Sequence, residues 1–154
     1  MNQRMDLQST APDALKAALT LEKYVRSSVD HKLLHLIKLR ASVLNGCAFC
    51  VDMHSTEAVL AGESSRRLFA VAAWRESPFF TDVERAALAL TDAVTQIDKQ
   101  GVPDEIWESA RAIWSEKELA DLLLAIATIN VWNRLSISVH AQPPADTAAY
   151  ARTG

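Results

Sequence analysis

The chain has 154 residues, 49% of them hydrophobic and 23% charged, which is ordinary globular usage and excludes a disordered chain. With 16 Lys and Arg against 19 Asp and Glu, the net charge is −3, so no basic surface indicates nucleic-acid binding. The 4 Gly and 5 Pro are too few turn formers for a barrel or sandwich of many short strands. We therefore expect a single domain over residues 1–154.

Neither a secretory signal nor a membrane span is expected. The N-terminal stretch lacks the apolar segment that a secretory signal needs. The longest near-apolar run, Leu122 to Trp132, falls short of the ~20 residues that span a bilayer. We expect a cytoplasmic protein with no membrane partner, in a reducing compartment where a cysteine pair is more often catalytic or metal-binding than structural.

Helical signals run through most of the chain, with capping residues or Pro at the starts and Gly or Ser at the ends. In the first half, helices are predicted from Pro12 to the break at Ser27-Ser28, from the cap Asp30 to Asn45-Gly46, from Cys47 to about Leu60, and from Ser64 or Ser65 to about Trp74.

The second half carries two capping boxes, Thr81 to Glu84 and Ser115 to Glu118, and each predicts the start of a long helix. Between these helices, Pro103 stands at the predicted first position of a shorter one. Residues 143–154 are predicted to form a loose tail. The chain therefore reads as an all-α fold of about six or seven helices.

The only two cysteines, Cys47 and Cys50, are three residues apart, and His54 follows four residues later. On a helix these three side chains fall within about a 60° arc. The Asn45-Gly46 break places Cys47 near a helix N-terminus, where free N–H groups stabilise a thiolate. A dithiol beside an imidazole is typical of reversible thiol–disulfide chemistry, although two buried, inert cysteines are the alternative.

The segment 35–54, which reads HLIKLRASVLNGCAFCVDMH, resembles the core of the alkylhydroperoxidase AhpD family, within the carboxymuconolactone decarboxylase-like superfamily. The resemblance covers most of residues 12–138 and implies an all-helical homo-oligomer, a trimer or hexamer, that needs no cofactor or metal. It implies a peroxidase in which Cys50 attacks the hydroperoxide, Cys47 resolves the product as a disulfide and His54 activates Cys50. It also implies an external dithiol donor, such as a lipoyl-bearing protein, as electron source.

One position departs from the family pattern, which has a glutamate twelve residues before the first cysteine. Here that residue is His35, which we interpret as the outer base of a histidine proton relay. Glu57 lies one turn beyond His54 and is a substitute partner, but such a residue is more often a solvated helix charge.

Two other functions remain open at this stage. Cys47, Cys50, His54 and His35 make a Cys₂His₂ set that would hold zinc if all four converged on one ion. Decarboxylation of a muconolactone-type acid is the third hypothesis, and it would not need two cysteines so placed. Thiol-dependent reduction of a hydroperoxide is the leading hypothesis.

Overall fold

The computed structural model describes residues 2–152, and this part of the chain is all α-helical, as the sequence predicts. It contains eight α-helices and two short 3₁₀ segments, and no strand occurs within it. One more helix is found than the six or seven predicted, because a single turn capped by Asp6 precedes Pro12. The helices are α1 (Leu7–Thr10), α2 (Pro12–Ser28), α3 (His31–Asn45), α4 (Ala48–Leu60), α5 (Ser65–Ala70), α6 (Asp82–Thr95), α7 (Asp104–Arg111) and α8 (Glu116–Val139); the 3₁₀ segments are Val71–Ala73 and Thr147–Arg152.

Helix α3 lies at the centre of the fold and packs against α4, α6 and α8. Its Ile37 is fully buried in an apolar cluster that draws on α2, α3, α6, α7 and α8. The adjacent Leu36 is fully buried in a second cluster, with residues from α4, α5 and α6. Since α3 is apolar on two faces, it fixes α4 on one side and α8 on another.

Helix α8 runs from the predicted capping box at Ser115 to Val139 and contains the apolar run from Leu122 to Trp132. It has 24 residues, and its most apolar 18-residue stretch has a mean hydropathy of 1.4, enough to cross a membrane by length and composition alone. However, its apolar residues Leu122, Ile126 and Ile129 are buried, and the helix packs against α2, α3 and α6. These contacts are those of a core helix.

Both predicted capping boxes form, at the starts of α6 and α8. The helix predicted to end near Trp74 stops earlier, at Ala70, and continues as a 3₁₀ turn. The reason is that the carbonyls of Val71 and Ala72 accept hydrogen bonds from Arg40 of α3, at 3.2 and 3.0 Å. Helix α7 begins one residue later than predicted, with Pro103 as its cap.

The C-terminal segment differs from the loose tail predicted for residues 143–154. Thr147–Arg152 forms a 3₁₀ segment that packs against α4, and Tyr150 is buried there. The predicted tail is therefore ordered through residue 152, because one aromatic side chain anchors it. Thr153 and Gly154 lie outside the described residues.

Gly46 makes the turn that delivers the cysteine pair to the start of α4. It has a φ of 70°, in the left-handed region that favours glycine. Its N–H donates to Val43 O at 3.2 Å, and the N–H of Cys47 donates to Ser42 O at 3.0 Å. This pair of hydrogen bonds is a Schellman motif, which closes α3 and starts the next helix within two residues.

We expect Gly46→Ala to lower the free energy of unfolding by about 1 kcal/mol, because a left-handed backbone is costly for a residue with a Cβ. No atom lies within 4 Å of a Cβ at this position, so the loss is conformational rather than steric. Gly46→Asn should lower the free energy of unfolding by less, since Asn tolerates a left-handed backbone. Urea unfolding of the three proteins measures the difference, and equal stabilities would contradict the assignment.

Candidate active site

The two cysteines lie at the N-terminal end of α4 and are joined by a disulfide. Their Cα atoms are 5.3 Å apart. Cys47 is the N-cap residue, and its sulfur accepts a hydrogen bond from the N–H of Cys50 at 3.2 Å. Both residues are almost fully buried, with exposed fractions of 1% and 2%. The sequence thus positions both sulfurs in the first turn of the helix, where the helix dipole favours a thiolate after reduction.

A partly open cavity of about 490 Å³ lies against this end of α4. Cys50 lines it, and so does His54, which is one helical turn further along the same face. Most of its other lining residues are apolar or aromatic: Leu19, Phe49, Met53, Trp132, Pro144 and Tyr150. A cavity of this size and character suits an organic molecule. Of the two cysteines, Cys50 is the one whose surroundings can receive such a molecule.

The imidazole of His54 is buried and is held by the carboxylate of Glu57, with 2.9 Å between Nδ1 and Oε2. The other oxygen of Glu57 accepts a hydrogen bond from Arg26 of α2 at 3.0 Å. Burial by itself would raise the pKa of Glu57, but the hydrogen bond with His54 and the Arg26 guanidinium outweigh it and lower that pKa. Glu57 is therefore a carboxylate at neutral pH.

Burial lowers the pKa of His54, although the Glu57 hydrogen bond opposes this effect. A neutral imidazole has one N–H, and a carboxylate can only accept, so Nδ1 of His54 carries the hydrogen and donates it to Glu57. This leaves Nε2 with its lone pair free to accept a proton. The pair therefore presents a neutral base, oriented by a carboxylate, one turn from Cys50.

A second carboxylate, Glu22 of α2, joins further buried charges to this pair. It accepts hydrogen bonds from Arg26 Nε at 2.6 Å, from Trp132 Nε1 at 3.2 Å and from the ammonium group of Lys38. Lys38 is only 1% exposed; burial lowers its pKa, and the charge of Glu22 opposes that. The result is a continuous chain of ion pairs from Lys38 through Glu22 and Arg26 to Glu57, which a hydrogen bond extends to His54.

His35, predicted as the outer base of the relay, makes no direct hydrogen bond to His54 within residues 2–152. It is half-buried on α3 and lines a different depression, with Lys32, Glu63, Arg67 and Glu84. Burial lowers its pKa, the charge of Glu57 opposes this, and His54 reinforces it. His35 therefore lies close enough for the charges of Glu57 and His54 to change its pKa, while Glu57 makes the hydrogen bond to His54.

Glu57 is not the solvated helix charge that we expected, since its side chain is only 9% exposed. The parts played by Glu22, Arg26 and Lys38 were not predicted from the sequence. The available signal was the spacing of Glu22 and Arg26, four residues apart, and of His54 and Glu57, three apart, since each spacing pairs side chains on one helix face.

The Cys₂His₂ arrangement considered above does not form. Cys47 and Cys50 are bound to each other, and His35 lines a separate depression. Within residues 2–152, no three His, Cys, Asp or Glu side chains are grouped so that they could hold a metal ion. The site is therefore a dithiol site with a carboxylate–histidine pair.

The all-helical fold and the dithiol site indicate one class of protein, and comparison with known sequences supports the same class. The profile of the carboxymuconolactone decarboxylase family matches residues 11–93, and the chain belongs to this family. The chain is 41% identical over 140 residues to the uncharacterized protein YdfG of Bacillus subtilis, covering 90% of this chain and 95% of YdfG. It is 32% identical over 111 residues to the uncharacterized protein YnjA of Escherichia coli, covering 72% of this chain and 60% of YnjA.

Solved structures show the same fold. ATU0492 of Agrobacterium tumefaciens superposes with a TM-score of 0.91 at 44% identity, over 94% of this chain and 100% of that one. It is a protein of unknown function that has been provisionally named an AhpD antioxidant defence protein. The debrominase Bmp8 superposes with a TM-score of 0.79 at 23% identity, over 93% of this chain and 77% of that one, which shows a shared fold.

We expect the imidazole of His54 to titrate below the ordinary value of 6.5, because burial disfavours its charged form. Glu57→Gln should move the titration further down, since the carboxylate that stabilises the imidazolium is lost. Histidine resonances followed by NMR across pH measure both. Glu63→Gln is the matched control: its carboxylate pairs with Arg67 at 3.0 Å, and we expect no shift there. A titration at or above 6.5 in the unmodified protein would contradict the assignment.

Proposed function

We propose that the protein is a thiol-dependent hydroperoxide reductase that uses Cys50 and Cys47 as its redox pair and His54 as its base. The observation that carries the proposal is the placement of Cys50 in an organic-sized cavity, bonded to Cys47 and one turn from a carboxylate-held imidazole. Family membership and the likeness to ATU0492 support it.

The reaction begins with the reduced pair. Nε2 of His54 takes the proton of the Cys50 thiol, and Glu57 stabilises the imidazolium that results. The thiolate attacks the terminal oxygen of the hydroperoxide, so an S–O bond forms and the O–O bond breaks. The leaving alkoxide takes the proton from His54 and departs as an alcohol, and Cys50 becomes a sulfenic acid.

The second step forms the disulfide seen in the structure. The Cys47 sulfur attacks the sulfur of the Cys50 sulfenic acid, and the hydroxyl leaves with a proton as water. The two electrons that reduced the peroxide thus come from the cysteine pair. An external dithiol, such as a lipoyl-bearing protein in the cytoplasm, then reduces the disulfide by thiol exchange.

The apolar lining of the cavity favours an organic hydroperoxide, because a hydrocarbon tail would bury its surface there. We further propose a homo-oligomer, a trimer or hexamer. Exposed apolar side chains support it, chiefly Phe69, 81% exposed, and Leu60, 63% exposed, which line one apolar depression between α4 and α5. No feature of the site calls for decarboxylation.

The different roles of the two cysteines provide a test of the proposed function. We expect Cys50→Ser to abolish hydroperoxide consumption by the reduced protein. Cys47→Ser should still consume one equivalent and retain a sulfenic acid or a mixed disulfide on Cys50. Peroxide assays with mass spectrometry of the trapped product measure both outcomes, and the unmodified protein is the control. The opposite pattern would exchange the two roles, and an inert pair in the unmodified protein would contradict the proposed function.

A further inference from the structure

The C-terminal segment, residues 142–150, returns from the end of α8 and forms one side of the Cys50 cavity. Gln142, Pro144 and Tyr150 line that cavity together with Cys50. Tyr150 is only 6% exposed. Its 3₁₀ segment packs against α4, so its burial depends on contacts with that helix.

Contacts with Asp52 and Phe49 hold Tyr150 to the first turns of α4. Its hydroxyl donates to Oδ2 of Asp52 at 2.8 Å. Its ring meets the ring of Phe49 edge to face, with centroids 6.4 Å apart and an angle of 80° between planes. Phe49 and Asp52 flank Cys50 in sequence, so both contacts are made to the helical turn that carries the reactive sulfur.

The Tyr150 hydroxyl stays a hydrogen-bond donor over the physiological pH range. Burial raises its pKa above the ordinary value, and the hydrogen bond to the Asp52 carboxylate raises it further. The donor of the hydrogen bond to α4 is therefore retained over this pH range.

Cys47 and Cys50 are only 1% and 2% exposed, so a reductant approaches the disulfide through the cavity that Cys50 lines. The cavity is partly open, and Leu19 and Gln142 are exposed among the residues that line it. Segment 142–150 forms one side of it, together with Cys50. The position of this segment therefore limits the space beside Cys50, which matters more for a thiol on the surface of a folded protein than for a slender thiol.

From these contacts we propose that Tyr150 is a positioning residue which holds segment 142–150 over Cys50 and so sets the size of the thiol that can reduce the disulfide. The inference rests on the proposed function only in taking reduction of this disulfide as a step of the cycle. The attacking thiolate forms a mixed disulfide with Cys50, and Cys47 leaves as a thiolate. The second thiol of the donor then displaces Cys50, so two electrons pass from the donor to the pair.

The experiment compares two reductants of the full-length disulfide form, without peroxide. Dithiothreitol is the slender dithiol, and a thioredoxin, kept reduced by its reductase and NADPH, is the bulky one. Free thiols are trapped with a maleimide at intervals and counted by mass spectrometry. Because no peroxide is used, the result does not depend on whether the protein reduces peroxides.

We expect Tyr150→Ala to speed reduction by thioredoxin about tenfold and reduction by dithiothreitol less than about twofold, on the scale of one lost hydrogen bond and ring contact. Tyr150→Phe, which keeps the ring but loses the hydroxyl, should speed the thioredoxin reaction by about threefold. Asp52→Asn retains an acceptor oxygen and should stay close to the unmodified protein.

Tyr24 provides the matched control, because its hydroxyl also donates to an aspartate, Asp121, at 2.8 Å, but it does not line the cavity. Tyr24→Phe should leave both rates unchanged. The proposal is overturned if both Tyr150 variants leave the thioredoxin rate unchanged, or if both reductants accelerate in parallel. Tyr150→Phe changes a single atom, so it keeps the test valid if Tyr150→Ala is unstable.

Discussion

The pairing of buried charges is the constraint on which the rest of this structure depends. Glu22, Lys38 and Glu57 have little exposed surface, and a buried ion without a partner costs several kcal/mol. Arg26 satisfies this requirement for two carboxylates at once, since it binds both Glu22 and Glu57. The ion pairs thereby tie α2 to α3 and α4. Helix α4, which begins at the disulfide, is consequently held in place by ion pairing with α2 as well as by apolar packing.

The same ion pairs determine the chemistry that His54 can perform. The hydrogen bond with His54 and the Arg26 guanidinium keep Glu57 ionised, and the ionised Glu57 fixes the hydrogen on Nδ1 of His54. The family pattern places a glutamate on α3 where this chain has His35. Here the carboxylate comes from α4, three residues beyond the histidine itself. The negative charge beside His54 is thus supplied from its own helix.

Much of the fold follows from local signals in the sequence. Asp30, Thr81 and Ser115 each mark a helix start, and Gly46 marks an end, because capping is decided by residues within one turn. The cysteine pair and His54 could be predicted for the same reason, because they lie close together in the sequence. Glu57 could not be assigned in this way, since its burial depends on Arg26, 31 residues away. The burial of Tyr150 could not be predicted for a similar reason, because its partner Asp52 is 98 residues away in the sequence.

We propose that Glu57, rather than His35, is the partner that makes His54 an effective base for Cys50. This proposal is tested most directly by following Cys50 thiolate formation against pH in reduced Cys47→Ser protein, through the ultraviolet absorbance of the thiolate. Adding Glu57→Gln should move thiolate formation to higher pH by about one unit, because the imidazolium that accepts the proton loses its counter-charge. Adding His35→Ala should move it by much less. A larger shift from His35→Ala than from Glu57→Gln would contradict the account.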